Sequence, residues 1–253
     1  MNITQKAHFS VLRNGVFQID EYPSFSLFLD YLEGEFESLN SSDNSICFLE
    51  RTLLYGSSLF TGLFDKALSH SIDISPSSAN QRGAYNSSLV NSPDFLSKSS
   101  DYFLSQDTTS IGSNIYNYIF IPNLVHHFCD QENLYSICFQ ALKPNGFLII
   151  YEPTIRELHQ EPHDYLRFTP YGLKFYLEKA GFQVLSSTTE GNAYDAISYI
   201  LSIMNAKRYD TNFLRKLTKI KSLLHDLQLE FPVDIVKPYS SFPTSFLIKA
   251  IKH

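Results

Sequence analysis

Residues 134–153, LYSICFQALKPNGFLIIYEP, decide the fold. The first half of this segment carries apolar residues at helical spacing, and residues 147–151 form an unbroken apolar run. Such a run is typical of a strand covered on both faces, as in a parallel sheet. Residues 143–146, KPNG, separate the halves, because proline cannot continue a helix and Asn-Gly is a strong turn pair. The segment therefore predicts an α/β fold with a parallel sheet between helices.

Composition narrows the class of protein. A chain of 253 residues with a 43% hydrophobic share suits a single α/β domain, residues 1–253, with a full core. The formal net charge of -6 argues against a nucleic-acid binder, which would need a basic surface. Three cysteines without metal-site spacing fit a reducing cytosol, so we expect a cytoplasmic protein. No apolar stretch approaches the length that spans a bilayer, so we expect no membrane span.

Apolar runs and turn residues predict further elements around this segment. The expected strands are residues 46–54, 70–74, 102–104, 115–121, 147–151, 182–187 and 244–251. The expected helices are residues 25–39, 61–68 and 171–180. An N-terminal extension, residues 1–44, includes a stretch at 9–19 in which apolar and polar residues alternate weakly. This stretch predicts a short strand or hairpin. Within residues 191–243, two sets of apolar residues at helical spacing predict a helical insertion before the last strand. This insertion would cap the strand ends or form a homo-oligomer face.

Three motifs resemble a known family. Residues 141–146, ALKPNG, resemble the turn before the fifth strand of class I S-adenosylmethionine-dependent methyltransferases, and residues 125–128, VHHF, resemble the segment after that family's fourth strand. Residues 159–168, HQEPHDYLRF, resemble a branch associated with polysaccharide biosynthesis. The resemblance implies a Rossmann-like, doubly wound, seven-stranded, mostly parallel sheet with an antiparallel last strand. It also implies methyl transfer from S-adenosylmethionine to a small or glycan-linked polar acceptor.

The resemblance implies a cofactor site at the ends of the first strands. The family usually has an acidic residue at the end of the first strand and Gly-x-Gly in the next turn, whereas this sequence has Leu54 at the acidic position. A serine at the second glycine position limits close approach by the backbone. Asp73 would bind the ribose hydroxyls and Asp107 the adenine amino group, with turn capping as the alternative for each. The expected cofactor-binding residues are Gly56, Ser58, Asp73, Asp107 and Ile121.

Histidines after the fourth and fifth strands are the candidates for catalysis. Methyl transfer needs two reactants held in line and a base for the acceptor proton. We expect His127, from the pair with His126, and His159 to supply that base, with hydrogen bonding to the backbone as the alternative for the pair. The expected acceptor-binding residues are His163, Asp164, Tyr165 and Arg167. The alternative is that Arg167 and Asp164 form an ion pair that only holds their loop.

Other functions have weaker support. His159, Glu161 and His163 would share one face of a strand, as a metal site needs, but Pro162 argues against a regular strand and we expect no metal. The departures at the cofactor turn, together with the helical insertion, support an inactive methyltransferase fold that serves as a binding or assembly module. A nicotinamide-dependent oxidoreductase is disfavoured because its Gly-x-Gly-x-x-Gly turn is missing.

Overall fold

A computed structural model gives the structure of much of the chain. The described residues are 1, 5–6, 9–10, 12, 25–50, 60–74, 102–104, 110–159, 163–206, 210–231 and 242–253, with the backbone alone at 73–74, 102–104 and 204–206. Six residues singled out in the sequence lie outside this part of the chain: Leu54, Gly56, Ser58, Asp107, Glu161 and Pro162.

One mixed sheet forms the centre of the molecule. Its strands are β1 Ser45–Glu50, β2 Leu68–Ile74, β3 Tyr102–Leu104, β4 Tyr116–Pro122, β5 Leu142–Pro153, β6 Gln183–Glu190 and β7 Ser245–Ile251. They lie in the order β3-β2-β1-β4-β5-β7-β6. Strands β1 to β5 pair in parallel, and β7 runs antiparallel to both β5 and β6. The predicted mostly parallel sheet with an antiparallel last strand is confirmed.

Helices and short turns connect the strands. The helices are α1 Ser26–Gly34, α2 Phe36–Leu39, α3 Gln131–Ala141, α4 Pro170–Lys179, α5 Ala193–Ala206 and α6 Thr211–Glu230, and 3₁₀ turns form at Thr61–Leu63 and Val125–His127. The helix predicted at 61–68 was wrong beyond its first turn, because Leu68 already pairs with Ser45 in the sheet. The strand predicted from residue 9 was also wrong there: Phe9 and Leu12 are helical and buried at a spacing of three residues.

Helices cover both faces of the sheet. On one face, Phe28 and Phe36 from α1 and α2 pack in a cluster with Phe48 of β1 and Phe120 of β4. The Phe48 and Phe120 rings stack with their centroids 5.0 Å apart. On the other face, α3 and α4 pack against apolar side chains of β4 and β5.

Strand β5 supplies side chains to both of these clusters. Leu148 and Ile150 lie in the cluster under α3 and α4, whereas Ile149 and Tyr151 lie in the one under α1. This double burial explains why the apolar run in β5 shows no alternation.

The turn predicted at residues 143–146 forms an irregular first part of β5, where the pairing with β4 shifts register. Close contacts hold it, rather than a glycine in the left-handed region. The positive φ of 63° belongs to Asn145. A Cβ placed on Gly146 would lie 2.8 Å from the Lys143 carbonyl oxygen and 3.2 Å from that of Asn117. The Asn117 carboxamide oxygen accepts hydrogen bonds from the Ser45 N–H at 3.0 Å and from Lys143 Nζ at 2.8 Å. This turn therefore joins β1, β4 and β5 at the amino edge of the sheet.

The helical insertion lies between the two antiparallel strands. Glu190 at the end of β6 pairs with Ser245 at the start of β7, and α5 and α6 occur between them. The Tyr194 hydroxyl of α5 donates to the Phe231 carbonyl beyond α6 at 3.1 Å. No helix in the described ranges is long and apolar enough to cross a membrane.

We predict that Gly146→Ala destabilises the protein. The added methyl group must displace backbone atoms, and overpacking of this kind costs about 1–3 kcal/mol. Chemical denaturation monitored by circular dichroism measures the loss. Gly34→Ala is the matched control, because a Cβ there meets nothing within 4 Å and alanine favours the helix. Equal stability of the two variants would contradict the role assigned to Gly146.

Candidate active site at the carboxyl ends of the strands

The strand order reverses between β1 and β4, which creates a crevice at the carboxyl ends of these strands. Glu50 is the last residue of β1 and pairs in register with Asp73 of β2, so both acidic residues lie at this edge. Glu50 is buried and accepts a hydrogen bond from the Ser71 hydroxyl at 2.9 Å. Glu50 is therefore an acidic residue at the end of β1 that the sequence analysis did not consider, whereas Leu54, which it placed at the acidic position, lies outside the described residues.

The end of β4 forms the other side of the crevice. Ile121 is fully buried in the core, so it can offer a ligand only its backbone. Asn123, just after the strand, has a positive φ of 58° and donates its N–H to the Tyr151 carbonyl at 2.7 Å. The buried Asn123 Oδ1 accepts no hydrogen bond from the part of the chain described here. An unpaired buried acceptor is costly, and a donor on a bound ligand would remove that cost.

A buried carboxyl group at the end of β5 positions the 3₁₀ turn Val125–His127, which is called the histidine turn below. Glu152 is fully buried, and its Oε2 accepts the Val125 N–H at 3.3 Å. Its Oε1 contacts Nδ1 of His126, which is also fully buried. Burial raises the pKa of Glu152 to about 8. The contact fixes the orientation of the His126 ring.

Three histidine rings meet beside this carboxylate. Their centroids are 4.1 Å apart for His126 and His127, 4.9 Å for His127 and His159, and 5.1 Å for His126 and His159. The Nε2 atoms of His126 and His159 are 3.2 Å apart. Burial, together with the charge of Arg156, lowers the pKa of His159 to about 4. The structure thus brings together the two predicted catalytic histidines, His127 and His159, and adds His126.

The loop after β5 docks on the histidine turn through its backbone. The Tyr165 N–H donates to the His126 carbonyl at 3.0 Å, and Nδ1 of His127 donates to the His163 carbonyl at 2.6 Å. The His163 ring lies 2.7 Å from the Tyr165 hydroxyl through its Nδ1. Its ring does not join the three-histidine cluster, so the metal set of His159, Glu161 and His163, which the sequence analysis disfavoured, is not the set that lies together here. The reason is that this extended loop uses its main chain for docking and directs His163 to its neighbour.

Arg167 and Asp164 form the ion pair that the sequence analysis offered as an alternative to acceptor binding. Arg167 Nη2 is 2.6 Å from Asp164 Oδ2, and it also donates to the Glu157 carbonyl at 2.9 Å. The Arg167 Nη1 group contacts Asp164 Oδ1 and donates to the Leu166 carbonyl at 2.7 Å. Burial alone would raise the pKa of Asp164, but hydrogen bonds from Arg167 and from the His159 N–H hold that pKa well below its ordinary value.

The insertion contacts the same loop. The hydroxyl of Tyr199 in α5, a nearly buried side chain, donates to the Glu157 carboxylate. This contact joins α5 to the loop after β5, and the cap and the homo-oligomer face both stay predictions.

Sequence reasoning missed Glu50, Asn123 and Glu152 as site residues. The signal for Glu152 was present, because a carboxylate directly after an unbroken apolar strand needs a buried partner. The signal for Glu50 was also present as the only acidic residue within the predicted strand at 46–54. Asn123 was recognised only as a turn residue, since its unpaired oxygen cannot be inferred without coordinates.

Comparison of the structure with solved structures identifies the fold. A candidate sarcosine dimethylglycine methyltransferase from Galdieria sulphuraria aligns with a TM-score of 0.52 at 12% identity, over 99% of this chain and 98% of that protein. An S-adenosylmethionine-dependent methyltransferase from Archaeoglobus fulgidus aligns with a TM-score of 0.50 at 15% identity, over 94% of this chain and 98% of that one. This chain has the fold of class I S-adenosylmethionine-dependent methyltransferases.

The same fold also occurs in a protein named for a different reaction. The 4+2 cyclase SpnF aligns with a TM-score of 0.51 at 12% identity, over 98% of this chain and 95% of that protein. No protein-family model and no curated protein matches the sequence. The fold alone therefore leaves the reaction open.

We predict that Asp164 and Arg167 stabilise the protein as a coupled pair. Asp164→Asn and Arg167→Lys should each lower the free energy of unfolding, since lysine cannot reproduce the planar fork that reaches the carboxylate and two carbonyls. A double-mutant cycle should give a coupling energy of about 1–2 kcal/mol.

A surface ion pair provides the control. Lys174 and Glu178 are exposed and 3.6 Å apart on α4, so Lys174→Gln should change stability by less than about 0.5 kcal/mol. Additive effects of the Asp164 and Arg167 substitutions would show that the pair does not hold the loop, and would return Arg167 to the acceptor-binding role.

Proposed function

We propose that the protein transfers a methyl group from S-adenosylmethionine to a small or glycan-linked polar acceptor. The observation that carries this proposal is the crevice at the switch point between β1 and β4. Acidic residues lie in register at the end of β1 and near the end of β2, and histidines follow the ends of β4 and β5. In doubly wound sheets, ligands bind in this crevice.

The residues at the first two strands fit a nucleoside. Two adjacent ribose hydroxyls need an acceptor at the end of a strand, and Asp73 has that position in the backbone. Glu50 lies beside it, and the unpaired Asn123 Oδ1 across the switch point could accept a hydrogen bond from an amino group. Gly56, Ser58 and Asp107 stay in the proposed cofactor set on the resemblance alone.

The residues after β4 and β5 fit an acceptor. The bound cofactor supplies an activated methyl group, and the chain must orient the acceptor and remove its proton. His159 is neutral at pH 7 because its pKa is lowered to about 4. Even a weak base of this kind can take the hydroxyl proton as the oxygen bonds to the methyl group, because that proton then becomes strongly acidic. His127, in the turn after β4, is the second candidate for this base. The loop with His163, Asp164, Tyr165 and Arg167 supports a glycan-type acceptor through its resemblance to the polysaccharide-associated branch.

An inactive binding or assembly module is the second candidate. The sequence at the cofactor turn departs from the family pattern, and the cyclase with this fold shows that the architecture is not tied to methyl transfer. Exposed apolar side chains on α6, including Leu223 and Leu229, support the homo-oligomer contact expected of such a module.

We predict that Asp73→Ala weakens S-adenosylmethionine binding about tenfold or more. The substitution removes charge-assisted hydrogen bonds of about 1.5–3 kcal/mol each. Isothermal titration calorimetry with S-adenosylmethionine and S-adenosylhomocysteine measures the affinity. Asp43→Ala is the control, because Asp43 is exposed before β1 at the opposite edge of the sheet and should leave the affinity unchanged. If the folded wild-type protein binds neither ligand, the methyltransferase proposal fails and the module is favoured.

A further inference from the structure

We propose that His126, His127 and His159 bind a divalent transition-metal ion of the zinc class through their Nε2 atoms. One nitrogen from each ring lies within 4.8 Å of a nitrogen from each of the others. His126 and His127 are almost fully buried, and the His159 side chain is 13% exposed. The sequence analysis expected no metal, and the set that it weighed combined His159 with Glu161 and His163.

The Nδ1 atoms of the three rings have oxygen partners, so the Nε2 atoms are the nitrogens assigned here as metal ligands. Nδ1 of His127 lies 2.6 Å from the His163 carbonyl, so it must carry the proton. Nδ1 of His159 lies 3.1 Å from the Glu157 carbonyl and 3.1 Å from Asp164 Oδ2, which are both acceptors. Nδ1 of His126 contacts the Glu152 carboxyl group. Oxygen partners of this kind fix the tautomer and orientation of metal-binding histidines.

The spacing of the nitrogens suits one ion. Two nitrogens that bind a tetrahedral zinc ion at about 2.0–2.1 Å lie about 3.3 Å apart, and the Nε2 atoms of His126 and His159 are 3.2 Å apart. Two imidazole lone pairs at this distance need a cation or a proton between them. The other separations, up to 4.8 Å, require the rings to draw together by at most about 1.5 Å.

The charges around the cluster also accommodate a cation. Glu152 and Asp164 contact the histidines, and Glu157 lies in the same loop. Arg156 and Arg167 oppose them, and Arg167 is paired with Asp164. Burial raises the pKa of Glu152 to about 8, so this group is largely protonated at pH 7. The two remaining carboxylates balance the two guanidinium groups, and the surroundings carry no net positive charge that would oppose a cation.

Ligand chemistry selects the class of ion. Three imidazole nitrogens suit zinc and its neighbours in the first transition series, whereas magnesium and calcium prefer oxygen ligands. Three protein ligands leave a fourth position of the kind that catalytic zinc sites keep for water or substrate. In the methyltransferase proposed above, the ion would take over the role given to the His159 base, because all three Nε2 atoms are then metal ligands. An acceptor hydroxyl at the fourth position would lose its proton more readily. This role rests on the proposed function, whereas metal binding does not.

Direct titration tests the site. The full chain, purified without a histidine tag and treated with a chelator, is titrated with Zn²⁺ against a chromophoric competitor in the absence of cofactor. We expect one zinc ion per chain. His159→Gln should lower the zinc affinity more than about 100-fold. This loss exceeds the one usually seen when only a group that hydrogen-bonds to a metal ligand is removed. His163→Gln is the matched control from the same loop, and its affinity should equal that of the wild type.

A second measurement needs no variant. X-ray absorption spectra of the zinc-loaded wild-type protein should show three imidazoles at about 2.0–2.1 Å. The cobalt form should have the intense visible absorption of four-coordinate sites, without the charge-transfer band that a thiolate such as Cys129 would add. Any other ligand set overturns the proposal.

The metal-free alternative has its own signature. If Glu152 is protonated and donates to His126, a proton can lie between the Nε2 atoms of His126 and His159. A downfield imidazole proton resonance that survives chelation and added zinc, with no zinc bound, would overturn the metal site. Cofactor titration of the same metal-free protein separates this failure from failure of the methyltransferase proposal.

Discussion

The site depends on the buried carboxyl group of Glu152. A carboxyl group at the end of a fully covered strand cannot stay without partners, because burial of an unpaired charge is very costly. Glu152 finds its partners in the Val125 N–H and the His126 ring, and so it draws the turn after β4 over the end of β5. The loop from His163 to Arg167 then docks on that turn through main-chain hydrogen bonds. One buried group thus organises two loops that are far apart in sequence.

The sheet could be predicted because its signals are local. Residues 147–151 show burial on both faces, Asp130 caps α3 through the Asn133 N–H, and Gly181 ends α4 with a φ of 98°. The failures occurred where tertiary pairing overrode a local pattern. Leu68 joins β2 although residues 61–68 have helical spacing, because β1 offers it a partner. The same competition placed Phe9 and Leu12 in a helical segment that buries both side chains.

The site was only partly predictable because its contacts join distant residues. His127 and His159 could be named from their positions after two strands whose carboxyl ends share one edge. Their partners could not, since the contacts of Nδ1 with the His163 and Glu157 carbonyls depend on loop geometry. Asp164 and Arg167 are three residues apart, and the sequence left their role open. In the structure the guanidinium group binds oxygens of its own loop.

The attachment of α5 and α6 has a consequence for the evolution of this protein. The segment leaves the sheet at Glu190 and returns at Ser245, and these two residues pair across β6 and β7. Because the ends are held together, the segment can change in length or sequence at little cost in chain entropy and with no change of register. It reaches the loop after β5 through Tyr199 and Glu157. Exchange of this segment would therefore change what contacts the loop after β5 and leave the sheet and the three histidines in place.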